Sequence, residues 1–116
     1  MAEERKARLD IIDDALGLDE EVHFDVLALL FDPGHGLKKR EAEGNLVLTD
    51  RRLVFGTAQH GILVEVPIGE IRAPVLVTNK FMMARLVIET DARQTFVVNK
   101  NAARDIAFAL NKAASA

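Results

Sequence analysis

The chain has 116 residues, a formal net charge of −3 and no cysteine. Its length fits one domain, and the lack of cysteine excludes disulfides, thiolate catalysis and zinc sites with cysteine ligands. It has no Trp or Tyr to stack on bases and no basic excess, which argues against nucleic-acid binding. We see no pattern typical of a signal peptide and no apolar run long enough to span a membrane. We therefore expect a soluble cytoplasmic protein, which leaves room for peripheral contact with a membrane.

The first predicted element is an acidic helix over residues 3–16, built from good helix formers. Gly17 is expected to end it, because glycine readily takes the positive φ found after many helices. Apolar residues fall on both sides of the helix, so it either lies in a groove or contacts a second chain. On one side they follow helical spacing: Leu9, Ile12 and Leu16. We assign residues 1–18 to this N-terminal segment and residues 19–116 to the main domain.

Residues 22–31 fit two structures. Alternate residues are apolar, as in a strand, but several residues between them are apolar too, so a buried strand and a helix are both compatible. We predict a strand, because the segment that follows needs a first strand to pair with. One face would then carry Val22, Phe24, Val26, Ala28 and Leu30. A loop containing Pro and Gly follows at residues 32–36.

The clearest pattern is a β-hairpin over residues 44–55. Alternation of period two runs on both sides of a polar break at residues 49–52, where Asp50 can bond neighbouring backbone and turn the chain. The apolar face of the hairpin carries Leu46, Leu48, Leu53 and Phe55. We therefore predict two adjacent antiparallel strands here.

Further strands are predicted after the hairpin, which brings the total to seven. They lie at residues 62–68, 71–78, 84–90 and 93–98. In the fourth strand of the chain, Ile62 would share one face with Val64. In the last two strands, Leu86, Ile88, Phe96 and Val98 are expected to point inward. Pro74 cannot donate a ladder hydrogen bond, so the strand that contains it is expected at an edge or a bulge.

The last predicted element is a helix over about residues 102–114, with Asn101 as its N-cap. A stripe of small and apolar residues is expected to pack on the sheet: Ala103, Ile106, Ala107, Leu110 and Ala114. Phe108 points nearly opposite this stripe, between Arg104 and Lys112, and is therefore expected to be exposed.

Taken in order, these segments resemble one known family. The matching residues are Leu48 to Phe55 (LTDRRLVF), Val66 to Ile71 (VPIGEI), Leu86 to Thr90 (LVIET), then Phe96 and the closing apolar helix. Bacterial PH-like and GRAM-type domains share a Leu-Thr-Asn/Asp-x-Arg-Leu hairpin, an Ile-Pro-Leu-x-x-Ile segment and a C-terminal helix. The resemblance covers about residues 20–114. Gly69 departs from the family pattern, which usually has Leu there, and the acidic first helix is not part of it.

The resemblance implies a mainly β fold with flanking helices (α+β). Its centre would be a sharply bent seven-stranded antiparallel sheet, or partly open barrel, which the C-terminal helix caps at one corner. The N-terminal helix would be an addition to this fold. Members of the wider PH-like superfold bind anionic lipid head groups, peptides or other proteins, so the fold alone does not settle the function.

The first candidate site is a basic run, Lys38, Lys39 and Arg40. The resemblance places it where lipid-binding PH domains have basic residues for inositol phosphates, and clustered cations can hold a phosphate by charge-assisted hydrogen bonds. The alternative is a solvated loop, since two acidic residues follow almost at once. Arg51 and Arg52 form a second basic pair, for which we expect a structural role in the hairpin.

The second candidate site is a partner interface that comprises Phe81, Met82, Met83, Val87 and Phe108. If the sixth strand begins early, Phe81 and Met83 share its outward face with Val87 and form an apolar patch edged by cations. Such patches often mark a partner site, although a packed loop tip is the alternative. We expect a homo-oligomer, because this patch, Phe108 and the mixed faces of the first helix all suggest contacts between chains.

The sequence offers little for catalysis. The three histidines lack metal-ligand spacing, the single serine lies near the C terminus, and paired acids such as Glu20 and Glu21 are expected to be solvated. We therefore predict a non-enzymatic interaction module without metal or cofactor, which binds a protein partner, including its own copies, and not nucleic acid. The alternative is a peripheral module that binds anionic phospholipid head groups.

Overall fold

The fold is that of the computed structural model, which describes residues 10–17, 19–31, 41–80, 82–90 and 93–114. Its elements are α1 (Asp10–Ala15), β1 (Val22–Phe31), β2 (Glu41–Thr49), β3 (Arg52–Thr57), β4 (Gly61–Pro67), a 3₁₀ helix (Ile68–Glu70), β5 (Arg72–Lys80), β6 (Met83–Glu89), β7 (Arg93–Asn99) and α2 (Lys100–Ala114). The protein is therefore mainly β, as predicted. Residues 22–31 form a strand, so that prediction is confirmed.

All seven strands belong to one antiparallel sheet, in the order β4-β3-β2-β1-β7-β6-β5. The strands from β1 to β4 form one run of neighbours, and those from β5 to β7 form another. The two runs meet where the first strand, β1, pairs with the last strand, β7. The end strands are β4 and β5, which are consecutive in the chain.

The sheet is strongly curved. In a flat sheet β4 and β5 would lie about 29 Å apart, six spacings of about 4.8 Å. Residues 68–71 alone connect them, and this connection spans at most about 17 Å. Curvature also brings Phe55 of β3 to Phe96 of β7, whose ring centroids lie 5.4 Å apart although two strands separate β3 from β7. The inner faces of all seven strands, together with α2, therefore share one core.

The predicted hairpin is confirmed as β2 and β3, with a two-residue turn at Asp50 and Arg51. Its predicted apolar face lies in the inner core, as do the inward residues predicted for β6 and β7. These buried side chains are Leu46, Leu48, Leu53, Phe55, Leu86, Ile88, Phe96 and Val98. Period-two alternation therefore assigned the inner face correctly wherever the strands run without interruption.

Two register shifts move residues away from the face that simple alternation assigned to them. The pairing of β1 with β2 shifts just after Val22, and that of β3 with β4 shifts between Phe55 and Gly56. An extra residue in one strand reverses the alternation of its side chains. Val22 and Ile62 consequently lie in a second cluster on the outer face, so the prediction that they share a face with Phe24 and Val64 is wrong.

Pro74 lies in an end strand with irregular pairing, as predicted. β5 is at the edge of the sheet, and its register with β6 shifts between Arg72 and Leu76. The side chain of Asn111 in α2 forms hydrogen bonds with the backbone of this strand. The Val75 N–H donates to Asn111 Oδ1 at 2.7 Å, and Asn111 Nδ2 donates to the Val75 carbonyl at 3.3 Å. The amide side chain thus satisfies backbone groups that a neighbouring strand would otherwise pair.

α2 packs on the inner side of the sheet through the predicted stripe, of which Ala103, Ile106, Ala107 and Leu110 are buried. Its N-cap is Asn99 rather than Asn101, because the helix begins two residues earlier than predicted. Asn99 Oδ1 accepts hydrogen bonds from the N–H groups of Asn101 and Ala102, at 2.8 and 3.2 Å. Asn101 lies inside the first turn, so its predicted capping role is wrong.

The backbones of β2 and β3 approach closely at Gly44, where an added Cβ atom would lie 2.1 Å from the carbonyl oxygen of Gly56. We predict that Gly44→Ala lowers the free energy of unfolding by roughly 3 kcal/mol, because one strand must move. Urea denaturation measures this. Gly69→Ala is the control, since nothing lies within 4 Å of its added Cβ, and it should change stability by less than about 1 kcal/mol. Equal losses for both variants would contradict the prediction.

The position of the N-cap is testable in the same way. Asn99→Ala should lower the free energy of unfolding by about 1 kcal/mol, because two N–H groups at the start of α2 lose their acceptor. Asn101→Ala removes an exposed side chain whose Oδ1 accepts from Arg104, and should cost less than half as much. A larger loss of stability from Asn101→Ala than from Asn99→Ala would show that Asn101 is the N-cap.

Candidate interaction surface

α1 covers part of the outer face of the sheet. Ile12 is fully buried against Val47 of β2 and Val54 of β3, which are fully buried as well. The border of this outer cluster is formed by Leu16, Val22 and Ile62. Both faces of the hairpin are therefore buried, the inner one by the core and the outer one by α1. The first helix was expected either to lie in a groove or to contact a second chain. Its described part, α1, packs on its own sheet.

A buried ion pair attaches the segment after α1 to the hairpin. The Glu20 side chain is 1% exposed and that of Arg52 is 22% exposed. The guanidinium donates twice to the carboxylate, from Nε to Oε2 at 2.9 Å and from Nη2 to Oε1 at 2.8 Å. The Thr49 hydroxyl donates to Oε2 at 2.6 Å, and the Gly17 N–H donates to Oε1 at 2.9 Å. We call Glu20, Thr49 and Arg52 the Glu20 network.

Arg52 also contacts α1 and β4. Its Nη2 donates at 2.7 Å to the carbonyl of Ala15, the last residue of α1, where helix carbonyls lack partners and a cation is favourable. Its Nη1 forms an ion pair with Glu65 of β4. A single side chain therefore links α1, β3 and β4. α1 ends where the Ala15 carbonyl accepts from Arg52 and the Gly17 N–H donates to Glu20. The positive φ expected at Gly17 is not found. Among the described glycines a positive φ, of 75°, occurs at Gly61, at the start of β4.

The backbone adds to this attachment. The Asp50 N–H donates to the Glu21 carbonyl at 2.9 Å, and the Glu21 N–H donates to Asp50 Oδ1 at 3.0 Å. Arg51 forms an ion pair of 3.0 Å with Asp19 at the surface. Residues 19–21 thus run along the hairpin turn and hold it by three separate contacts.

The Glu20 network keeps its two charged groups ionised at neutral pH. The hydrogen bond from Arg52 lowers the pKa of Glu20 from 4.5 to about 2; burial opposes this shift, and bonds from Thr49 and Gly17 add to it. The same pairing raises the pKa of Arg52 above its ordinary value, again against burial. Each buried charge therefore has its counter-charge at hydrogen-bond distance.

The expectation that Glu20 is solvated is wrong. It rested on the run of acidic residues around Glu20, which is typical of an exposed segment. The signal that could have identified the pair lies in the hairpin. Val47 and Val54 make the outer side of both strands apolar, which predicts a cover, and Arg52 shares that outer side. A cation under a cover needs an acid close by.

The other half of the outer face has no cover among the residues that the structure describes. Its outward apolar side chains, which we call the outer patch, are Leu27, Leu29, Leu76, Met83, Val87 and Val97. Leu27 is 68% exposed, Leu76 53% and Met83 44%. Arg85 lies between Met83 and Val87 on β6. A solvent-facing sheet surface normally carries polar residues at such positions, so the patch is a candidate contact surface.

The predicted partner interface is divided by the fold. Met83 and Val87 lie in the outer patch, and Met82 lies in the turn before β6 with 81% of its surface exposed. Phe108 is 70% exposed, as predicted, but α2 packs on the inner side of the sheet. The sheet therefore separates Phe108 from Val87, and the two cannot belong to one flat contact surface.

The other predicted site residues lie outside the described residues. These are Phe81 and the basic run Lys38, Lys39 and Arg40. Binding of anionic lipid head groups by this run stays a prediction.

A cleft of about 340 Å³ lies between β5 and α2. It is lined by Val77, Lys100, Arg104 and Ala107. Arg104 Nη2 already donates to Asn101 Oδ1 at 3.3 Å. Both cations are exposed, so water and salt compete with any anion that binds there.

Within the described ranges, no three His, Cys, Asp or Glu side chains converge as metal ligands would, and no helix is long and apolar enough to cross a membrane. In comparisons with known proteins, no family model matches the chain and no curated protein matches it significantly. Any function must therefore be inferred from the surface of this chain.

We predict that Glu20→Gln lowers the free energy of unfolding at neutral pH by roughly 3 kcal/mol, because Arg52 loses its buried counter-charge and keeps only the half-exposed carboxylate of Glu65. The contribution of Glu20 is complete above its unfolded pKa of 4.5 and is lost as pH falls towards about 2, since the folded state alone keeps the carboxylate ionised in that range. The difference between wild type and Glu20→Gln should therefore shrink on acidification. Urea denaturation at a series of pH values measures it.

Asp19→Asn provides the matched control. Asp19 and Arg51 are 79% and 53% exposed, so solvent screens their ion pair and the loss should stay within about 0.5 kcal/mol. The Glu20 network would not be the main attachment of α1 if Asp19→Asn were as costly as Glu20→Gln. A loss in Glu20→Gln that does not change with pH would exclude the charge as its cause.

Proposed function

We propose that this chain is a PH-like interaction module that binds protein, including its own copies, through the outer patch. The PH-like assignment is supported by the curved seven-stranded antiparallel sheet, by the C-terminal helix on its inner side, and by the hairpin motif from Leu48 to Phe55. α1 is an addition that covers one half of the outer face. The interaction role is supported by the other half, over which none of the described residues packs.

The observation that carries the proposal is the contrast between these two halves. Under α1, Val47 and Val54 are fully buried, whereas Leu27 and Leu76 are 68% and 53% exposed on the same face of the sheet. Each Å² of apolar surface removed from water contributes about 25 cal/mol. A partner that covers the outer patch would gain this free energy in the way that α1 gains it on the other half.

The composition of the patch fits a protein partner. The cores of protein interfaces are enriched in Met and Arg and poor in Lys and Glu, and here Met83 and Arg85 lie among aliphatic side chains. The patch also lies on paired strands rather than on a loop, so little conformational entropy is lost when a partner binds.

We predict that the double variant Leu27→Thr/Leu76→Thr weakens self-association by about tenfold or more, because each leucine loses apolar contact area. Threonine keeps the preference for strands, and both positions are exposed, so the fold should remain intact by circular dichroism. Analytical ultracentrifugation over a wide concentration range measures the dissociation constant of wild type and variant.

Phe108→Gln is the comparison variant, since it removes an exposed apolar side chain from the other side of the sheet. It should leave the dissociation constant within about twofold of wild type. The proposal would be wrong if wild type were monomeric at every concentration and bound no protein through this face. If Phe108→Gln weakened self-association and Leu27→Thr/Leu76→Thr did not, the contact would lie on α2 rather than on the outer patch.

Vesicles of anionic phospholipid test the lipid alternative. If the outer patch binds protein, the wild-type chain should stay in the supernatant at low salt. Pelleting that disappears at high salt, where ions screen the attraction, would support the lipid alternative instead.

A further inference from the structure

One row of residues crosses the outer patch from β2 to β5. Strand pairing sets Glu43 beside Leu29, Leu29 beside Val97, Val97 beside Arg85, and Arg85 beside Thr78. All five face outwards, since their neighbours along each strand pack into the inner core. The row therefore has an acid near one end, two apolar residues in the middle, and a base on the other side of them.

We infer that the outer patch binds a second copy of this chain about a two-fold axis that runs parallel to the strands, between β1 and β7. The inference rests on the proposed function and adds to it the identity of the partner and the register of the contact. This axis brings Leu29 of one copy onto Val97 of the other, and Glu43 of one copy onto Arg85 of the other. By symmetry each contact occurs twice.

The spacing of the strands makes this match possible. Neighbouring strands lie about 4.8 Å apart, so Leu29 and Val97 each lie about 2.4 Å from the axis. Glu43 and Arg85 lie one strand further out, each about 7 Å from the axis. Because these distances are equal on the two sides, rotation places acid on base. The outer face is convex, so the two copies touch first at the apolar centre, and the long side chains of Glu43 and Arg85 extend across the widening gap.

The row is complementary to itself, which favours a second copy over an unrelated protein. An axis along the row would instead bring Glu43 onto Glu43 and Arg85 onto Arg85, and like charges at an interface repel. An unrelated partner would have to match both charged positions of the row, with an acid of its own near Arg85 and a base near Glu43. A second copy already carries that acid, at Glu43.

Charge reversal tests the register. Glu43→Arg and Arg85→Glu should each weaken self-association by about tenfold, because each creates two like-charge contacts in the symmetric dimer. The double variant Glu43→Arg/Arg85→Glu should restore the dissociation constant to within about threefold of wild type. Arg104→Glu, a reversal of the same sign on α2, should have no effect. Sedimentation velocity measures association, and circular dichroism shows whether each variant is folded.

Mixing the two single variants gives a second, independent result. A Glu43→Arg copy carries two bases in the row and an Arg85→Glu copy carries two acids, so both contacts of the mixed dimer are attractive. An equimolar mixture should therefore form more dimer than either variant alone. Recovery in the mixture and in the double variant supports the inference.

Wild type that associates, is weakened by Leu27→Thr/Leu76→Thr, and shows neither form of recovery would overturn this register while the proposed function stands. Wild type that stays monomeric would overturn both the inference and the self-association within the proposed function. Equal weakening by Arg104→Glu would show a general effect of charge and would also overturn the register.

Discussion

The attachment of α1 depends on one constraint, that the cation of Arg52, which is only 22% exposed on the covered outer face of the hairpin, must be neutralised by a nearby acid. Glu20 supplies the charge, and its position fixes the path of the chain between α1 and β1. Because Arg52 also reaches the end of α1 and Glu65 of β4, the pair sets where the helix stops and which strands it covers. Apolar contact at Ile12 contributes to the affinity between helix and sheet, and Arg52 of the ion pair holds the end of the helix through the Ala15 carbonyl.

This attachment leaves the outer face with two different halves. Over β2 and β3 it is a second, small hydrophobic cluster, and over β5, β6, β7 and the second half of β1 it is an apolar surface without a cover among the described residues. An antiparallel sheet that serves only as a scaffold would carry polar residues on both halves. The proposed contact therefore depends on the arrangement of the strands and not on a loop. Strand pairing places Leu29 and Val97 side by side, with Glu43 and Arg85 next to them.

The inner face was readable from the sequence because side-chain alternation is a local property that runs on through each regular strand. The orientation of Val22 and Ile62 was predicted wrongly, because a bulge adds one residue without any distinctive sequence signal. Every side chain beyond the bulge changes face. Asn99 and Asn101 differ in no local property, so the start of α2 depended on where β7 ends. Glu20 pairs with Arg52, which is 32 residues away in the sequence, and no periodic pattern predicts a contact at that separation. Of the candidate site, Met83 and Val87 were predictable, whereas Leu27 and Leu29 required knowledge of which strands adjoin.

The irregular edge at β5 has a consequence for how copies of the chain can accumulate. An end strand with regular, open backbone groups invites strands from other molecules, which is how sheets extend into fibres. In β5, Pro74 has no N–H to offer, the ladder is shifted, and Asn111 occupies both backbone groups of Val75. Strand addition is therefore hindered at Pro74 and Val75 of this end strand. In the proposed dimer, copies meet through the outer patch and not through this edge, so the contact closes on a pair instead of extending from β5, which keeps an apolar surface compatible with a crowded solution.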